Sequence, residues 1–133
     1  MGAIKIVLRF ANGAVIKGST QNFFPNRDCF HFIPADNHSK GPIEVLLKDL
    51  KAVFMVRDFS GKPQYNERKR YIEEEKPSGK KIEVTFNDGE VMVGSTLGYD
   101  RNRPGFFIFP ADPESNNIRV FVVSSSVKSI RQL

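Results

Sequence analysis

Four side chains in the first half of the chain belong to the types that ligate metal ions. Cys29, His31, Asp36 and His38 offer a thiolate, two imidazoles and a carboxylate, which are common zinc ligands. Their spacing lacks the close pairs of structural zinc sites. A related stretch later in the chain keeps only Asp112 of this set. We therefore expect neither a metal site nor a cofactor.

An Asn-Arg pair occurs twice, as Asn26-Arg27 and Asn102-Arg103, each shortly before an apolar run. An exposed guanidinium presents a fork of N–H donors that matches a carboxylate or a phosphate. In the competing interpretation Asn forms a turn, and Arg packs over neighbouring residues. Both interpretations stay open, and all four residues are candidates for binding a ligand or partner.

The middle of the chain adds a third candidate group, Arg57, Phe59 and Tyr65, with Lys62 and Arg68 nearby. These aromatic side chains lie outside the apolar runs, so core packing explains them less easily than it explains the other aromatic residues. Together with the basic side chains they could form a contact patch for a partner or stack against nucleobases.

Catalytic chemistry has little support in this sequence. Ser124, Ser125 and Ser126 form a triplet, but no Gly-x-Ser-x-Gly elbow or suitable histidine accompanies them. Pro-Ala-Asp occurs at 34–36 and 110–112, where Pro ends a strand and Asp caps the next turn. No phosphate-binding glycine loop is present. We expect a protein that is not an enzyme.

The 133 residues are 40% hydrophobic and 26% charged, with one cysteine and a net charge of +5. Residues 1–62 contain nine Lys and Arg against five Asp and Glu, so the excess charge lies in the first half. Apolar runs are far shorter than the ~20 residues of a membrane span, and a lone cysteine suits a reducing compartment. We expect a cytoplasmic protein without membrane insertion.

The chain contains two copies of one pattern. Residues 6–36 and 82–112 align without a gap and are identical at 13 of 31 positions. After Asp36 the offset becomes 77, and Ile43, Val45 and Leu46 align with Val120, Val122 and Val123. Matches this dense indicate a tandem duplication.

Each copy predicts five short strands. Ile6, Leu8 and Phe10 alternate with polar or smaller residues, as in a half-buried strand. Asn12-Gly13 and Asp88-Gly89 follow the first strand of each copy and predict two-residue hairpins of the primed type. Gly18 and Gly94 predict a bulge or bend that curls the sheet. The pattern therefore predicts an all-β protein of two small five-stranded barrels.

The predicted organisation is a first barrel repeat over 1–57, a charged linker over 58–79 and a second barrel repeat over 80–133. The linker segment ERKRYIEEEK carries Lys69/Glu73 and Arg70/Glu74, opposite charges four residues apart that favour a short helical turn. A solvated connector without helix explains the same charges, and both alternatives stay open.

The segment DGEVMVGSTLGYDRNRPGFFIF resembles the first motif of Sm-like proteins. Asp88, Gly89, Gly94, Gly98 and Asp100 lie at that family's spacing, and the resemblance implies strongly bent, SH3-like barrels of five strands. The turns that frame the family's RNA base pocket differ: they hold Pro104-Gly105, Ser125-Ser126 and, in the first copy, Lys48-Asp49. The resemblance therefore extends to the barrel and not to the pocket.

Across its whole length the chain is similar to an uncharacterised bacterial module of paired small β-barrels. The similarity is carried by FFPNR, the two Pro-Ala-Asp sites, KAVFMVRDFSGKPQYNE and FFIFPADPESNNIRVFVV. Such modules occur alone or joined to PilZ-type signalling domains, and the resemblance implies no established activity.

We expect a monomeric or homodimeric interaction or regulatory module that binds a protein partner through strand edges or the loop arginines. The alternative is binding of a nucleic acid or nucleotide, such as RNA or a cyclic dinucleotide, through Arg27, Arg101, Arg103, the lysines of the first half and the linker aromatics.

Overall fold

The protein is described by a computed structural model that covers residues 4–35, 41–60, 68, 71, 79–100 and 102–133. In these residues the fold is all-β: ten antiparallel strands form one sheet, and two 3₁₀ turns of three residues are the helical segments. Neither turn is long enough to cross a membrane. The prediction of an all-β protein is confirmed.

Each half of the chain contributes five strands, as predicted. In the first half these are β1 Lys5–Phe10, β2 Val15–Ser19, β3 Cys29–Pro34, β4 Ile43–Leu46 and β5 Leu50–Val56. In the second half they are β6 Lys80–Phe86, β7 Val91–Thr96, β8 Gly105–Pro110, β9 Asn117–Val123 and β10 Val127–Gln132. The 3₁₀ turns, Leu47–Asp49 and Ser124–Ser126, separate the last two strands of each half.

The strands follow the order β10-β6-β7-β8-β9-β5-β1-β2-β3-β4, so each half has its last strand beside its first. The halves meet where β5 pairs with β9, with Val53 opposite Phe121 and Phe54 opposite Val120. We call this junction the seam. The expected separate closed barrels are not observed. A strand has two edges, and β1 and β9 occupy both edges of β5, so β4 and β10 remain the edges of an open sheet.

The hairpin turns differ from the prediction. Gly13 and Gly89 have φ of 95° and 93°, but Asn12 and Asp88 are not left-handed, as a primed two-residue turn would require. Phe10 donates its N–H to the carbonyl of Ala14 and accepts the N–H of Gly13. These bonds define a three-residue loop that ends in a left-handed glycine, and the second half repeats it.

Gly18 and Gly94 allow β2 and β7 to pass close to the next strand. A Cβ at Gly18 would lie 2.1 Å from the carbonyl oxygen of Ile33, and one at Gly94 would lie 2.2 Å from that of Phe109. Each glycine pairs with strands on both sides. The predicted bend is therefore a point of close backbone approach that excludes every side chain.

Two hydrophobic clusters form the core, and each takes residues from both halves. The cluster of the first half includes Leu8, Phe30 and Phe32 and is completed by Phe121 and Val123 from β9. The cluster of the second half includes Ile82, Phe86, Ile108 and Val122 and is completed by Val7, Ala52, Phe54 and Val56 from β1 and β5. From Ala52 to Val56, alternate side chains of β5 enter opposite clusters, and Leu50 joins the cluster of the first half. All seven residues of β5 are buried, and the seventh, Lys51, lies in neither cluster.

Most of the predicted linker over 58–79 lies outside the described residues, including the Lys69/Glu73 and Arg70/Glu74 pairs of the proposed helical turn. Arg68 is described and lies against the second half: its N–H donates to a carboxylate oxygen of Asp112 at 2.8 Å. Its guanidinium donates to the carbonyl of Ala111. The linker is thus attached to the second half at this point.

Candidate functional site

The two loop arginines lie in turns of the same form. The backbone N–H of Arg27 donates to the carbonyl of Phe24, and that of Arg103 donates to Asp100, both at 3.0 Å. Asn102 also donates its N–H to the Asp100 carboxylate at 2.9 Å. Asn26, Arg27, Asn102 and Arg103 are all exposed. The turns hold both Asn-Arg pairs at the surface, so the structural and the ligand-binding interpretations of these residues both stay open.

The surroundings of the two arginines differ. The guanidinium of Arg27 lies over the ring of Phe24, 5.2 Å from its centroid. Arg103 lines two cavities at once, whereas Arg27 lines neither. Within the described residues the guanidinium of Arg103 makes no hydrogen bond or ion pair. Arg103 is therefore the better placed of the two to bind a ligand.

The first cavity, which we call the turn cleft, has a volume of about 680 Å³. It lies between the two 3₁₀ turns and contains the cations Lys48 and Arg103, the acid Asp28 and the serines Ser124 and Ser125. Its remaining lining residues are Leu46, Leu47, Asn102, Pro104 and Val123. The cleft joins the halves of the chain and carries an excess of positive charge.

The second cavity, which we call the aromatic groove, has a volume of about 550 Å³. It runs over β8 and β9 and is bordered by the loop before β8. Aromatic and basic side chains dominate it: Tyr99, Phe106, Phe107, Phe109, Phe121, Arg103 and Arg119, with Pro25, Thr96, Leu97, Gly98, Asp100 and Gly105 completing the lining.

Two apolar side chains that line the aromatic groove are exposed. Leu97 is 77% exposed and Phe109 is 37% exposed, although most large apolar residues of the sheet are buried. Arg119 lies over Phe107, with its Cζ 4.6 Å from the ring centroid, and its Nε donates to the thioether sulfur of Met55 at 2.9 Å. The groove therefore pairs an apolar floor with two cations and a single acid, Asp100.

Several aromatic residues of the strands belong to the core. Phe30, Phe32, Phe106 and Phe121 are buried in the core, as the core-packing interpretation predicted. Sequence reasoning missed the groove because it did not weigh Leu97 or Arg119. One sequence signal could have indicated the groove: Leu97 is a large apolar residue directly after β7, outside the alternating pattern of the strand, so no buried strand position accounts for it.

The third candidate group is only partly described. The Nε of Arg57 donates to the carbonyl of Ser115 at 3.2 Å, which ties the end of β5 to the loop before β9. Phe59 is partly buried against the core of the second half, and Lys17 donates to its carbonyl at 2.8 Å. Tyr65 lies outside the described residues. Arg57 and Phe59 thus both have structural contacts. Phe59 also borders a smaller groove, which Arg103 does not line.

The metal-ligand types of the first half do not come together in the described part of the chain. Cys29 is a partly buried free thiol, and the ring Nδ1 of His31 lies 3.0 Å from the side-chain nitrogen of Asn22. Asp36 and His38 lie outside the described residues. Among the described residues no three His, Cys, Asp or Glu side chains are grouped as metal ligands.

The second Pro-Ala-Asp site has the predicted capping role. Asp112 is 3% exposed and accepts the N–H of Glu114 at 2.8 Å through one carboxylate oxygen. Its other oxygen accepts the N–H of Arg68. The carboxylate therefore stabilises the loop before β9 and the attachment of the linker.

A buried lysine at the seam escaped sequence reasoning. Lys51 on β5 is 8% exposed, and its Nζ contacts Glu90 and lies 2.7 Å from Asp88 Oδ2. The same nitrogen lies 4.7 Å from the centroid of Phe86. Hydrogen bonds from Lys51 and from the N–H of Glu90 hold the pKa of Asp88 below its ordinary value. This cluster ties the first half to the β6–β7 turn.

Comparisons with known proteins locate the chain in one family. The model of a family of unknown function, DUF6982, matches residues 2–133. The comparison with curated proteins finds no match, and the comparison with solved structures finds none. Because the match spans nearly every residue, the chain belongs to the DUF6982 family.

Proposed function

We propose that the chain is a non-enzymatic interaction module that binds a protein partner at the aromatic groove, with Arg103 as the central contact. The observation that carries this proposal is the position of Arg103, which lines both the aromatic groove and the turn cleft. Exposed arginine and aromatic side chains are the residue types that dominate binding energy at protein interfaces.

The chemistry of the groove favours an acidic partner with an apolar anchor. Leu97 and Phe109 supply an exposed apolar contact, and Arg103 and Arg119 supply two cations against the single carboxylate of Asp100. An aspartate or glutamate of the partner would accept a bidentate bond from Arg103. An adjacent aliphatic or aromatic side chain would lie against Phe109.

The rest of the proposal concerns the setting of this site. Each half is a bent unit of the SH3-like or Sm-like type, a monomer or homodimer displays the groove, and the compartment is the cytoplasm. The strand order of each half, with its last strand beside its first, supports the SH3-like description.

The proposal can be tested with a random peptide library displayed on phage. The immobilised chain should enrich peptides that combine acidic residues with an aliphatic or aromatic residue. Binding of a synthesised winner should weaken at least tenfold in Arg103→Glu, because the reversed charge repels the carboxylate and removes the guanidinium.

Arg27→Glu is the matched control, since Arg27 occupies the same turn in the first half but lines neither cavity. Circular dichroism establishes that both variants fold. The proposal is wrong if no peptide is enriched, or if the winner binds Arg103→Glu as tightly as the wild type.

Nucleic-acid binding is the second candidate, and the placement of Arg119 over the Phe107 ring beside Tyr99 favours it. Bases stack on such aromatic surfaces while arginines contact phosphates. A fluorescent single-stranded oligonucleotide or a cyclic dinucleotide should then bind at low salt, and oligonucleotide binding should weaken steeply as salt rises. Absence of binding at low salt removes this candidate and leaves the first one standing.

A further inference from the structure

The seam has a counterpart at the two free edges of the sheet. β4 holds the position in the first half that β9 holds in the second, and β10 corresponds in the same way to β5. The cross-strand pairs agree: His31 opposite Glu44 matches Phe107 opposite Phe121. A second copy of the chain could therefore add its β10 to β4 as β5 adds to β9. Repetition of such a contact would build a head-to-tail assembly.

Two apolar pairs flank the seam. Phe107 and Phe121 pack edge to face, with ring centroids 5.2 Å apart, and Phe121 is fully buried. Val7 and Phe54 are cross-strand partners and lie in the core cluster of the second half. Each pair belongs to one half and extends the core of the other, so these residues make the junction stable.

All four corresponding positions at the ends of the sheet are polar. His31 and Glu44 replace Phe107 and Phe121 on the β4 side and are exposed. On the β10 side Glu83 and Arg131 replace Val7 and Phe54, and Arg131 Nη2 lies 3.0 Å from Glu83 Oε2.

We propose that the backbones of the two sheet ends are matched to dock with those of a second copy of this chain. The polar side chains of His31, Glu44, Glu83 and Arg131 prevent this contact. The strand pairing of the seam would thus form once, between β5 and β9 of one chain, and would be prevented at β4 and β10. Solenoid proteins use polar outer faces on their terminal repeats for the same purpose.

The register of the seam shows what an end-to-end contact would bury. Phe121 lies opposite Val53 and Val120 lies opposite Phe54, so Glu44 would lie opposite Ile130, and Arg131 opposite Ile43. Glu44 would then lose water against an aliphatic side chain. The Arg131–Glu83 pair would enter the place of a buried Phe and Val, where desolvation opposes its attraction.

The backbone of β4 adds a second obstacle. β4 has four residues whereas β9 has seven, and Pro42 stands before β4 at the position that Arg119 holds in β9. Proline has no N–H to donate to an added strand, and short, charged edges resist such addition.

Two variants test the proposal, and each carries the seam's residues in place of the native ones at one end of the sheet. The first carries His31→Phe, Glu44→Phe and Pro42→Arg; the second carries Glu83→Val and Arg131→Phe. Each alone should behave as the wild type, because its other end is still polar. A mixture should form a one-to-one heterodimer and stop there, with an affinity at least tenfold above any self-association of the wild type. Sedimentation velocity measures these species.

Each variant mixed with the wild type should form no complex. The proposal is overturned if the folded variants do not associate at high micromolar concentration. It is also overturned if either variant self-associates as strongly as the mixture, since added apolar surface alone would then explain the result. If a variant does not fold, Glu44→Phe and Arg131→Phe carry the same comparison. The peptide experiment with Arg103 is unaffected by either outcome.

Discussion

At the scale of single residues, position separates side chains that the sequence presents as equals. Arg27 and Arg103 occupy the same turn, yet only Arg103 borders the two cavities. Lys51 and Lys128 also correspond, but Lys51 is buried against Asp88 and Glu90 whereas Lys128 is exposed. Residues that align between the halves thus have different surroundings, because the strand order places the two halves differently within the sheet.

Replacement of Lys51 should test the ion cluster at the seam. Lys51→Ala removes the charge-assisted hydrogen bonds and the packing of the lysine stem over Phe86, and should lower the free energy of unfolding by about 1–3 kcal/mol. Lys128→Ala, the matched control, should change it by less than about 0.5 kcal/mol. Urea denaturation measures both; equal effects would contradict the structural role of Lys51.

The same cluster predicts a dependence on pH. The pKa of Asp88 is lowered in the folded protein, chiefly by its hydrogen bond from Lys51. Its contribution to stability is therefore present above the unfolded pKa and is lost as pH falls through the lower folded pKa. At pH 6 the wild type should have a higher free energy of unfolding than Asp88→Asn in urea denaturation. This difference should shrink as the pH falls below 3.8, the ordinary value for aspartate. A difference in free energy of unfolding that stays constant with pH would contradict a stabilising interaction between Lys51 and Asp88.

At the scale of the elements, strand number and type followed from the sequence, and their closure did not. Alternation and the spacing of turn residues predicted five strands per half, because period two and glycine punctuation are local signals. The three-residue hairpins and the shared edge of β5 depend on backbone register and on a contact between halves. β5 shows why closure could not be predicted. The apolar run of Leu50–Val56, whose seven residues are buried, fits a strand inside one small barrel as well as a strand at the junction between two halves.

The glycine of β7 provides a test at this scale. Gly94→Ala would place a methyl group 2.2 Å from the carbonyl oxygen of Phe109 and force β7 and β8 apart, lowering the free energy of unfolding by about 2–3 kcal/mol. Gly98→Ala is the control, since nothing lies within 4 Å of its added Cβ. Thermal unfolding of the two variants should differ clearly, and similar melting temperatures would contradict the close approach.

At the scale of the whole molecule, the ten strands of the described residues form one continuous sheet in which each half completes the core of the other. Phe121 of the second half packs in the first cluster, and Phe54 of the first half packs in the second. The sequence similarity of the halves did not predict this sharing of core residues, because similarity indicates two alike units and not the surfaces through which they join. The same holds for the surroundings of single residues: the sequence singles out Arg103 as a candidate, whereas the positions of Leu97, Arg119 and Lys51 are seen only in the fold.

Hydrogen exchange at the seam is the most direct measurement of this arrangement. Because both cores depend on the pairing of β5 with β9, the protected amides of Ala52–Val56 and Val120–Val122 should exchange only through global unfolding. Their exchange free energies should equal the highest values in β1 and β6. Faster exchange at the seam than in those strands would mean that the halves separate while folded, and would contradict the single shared sheet.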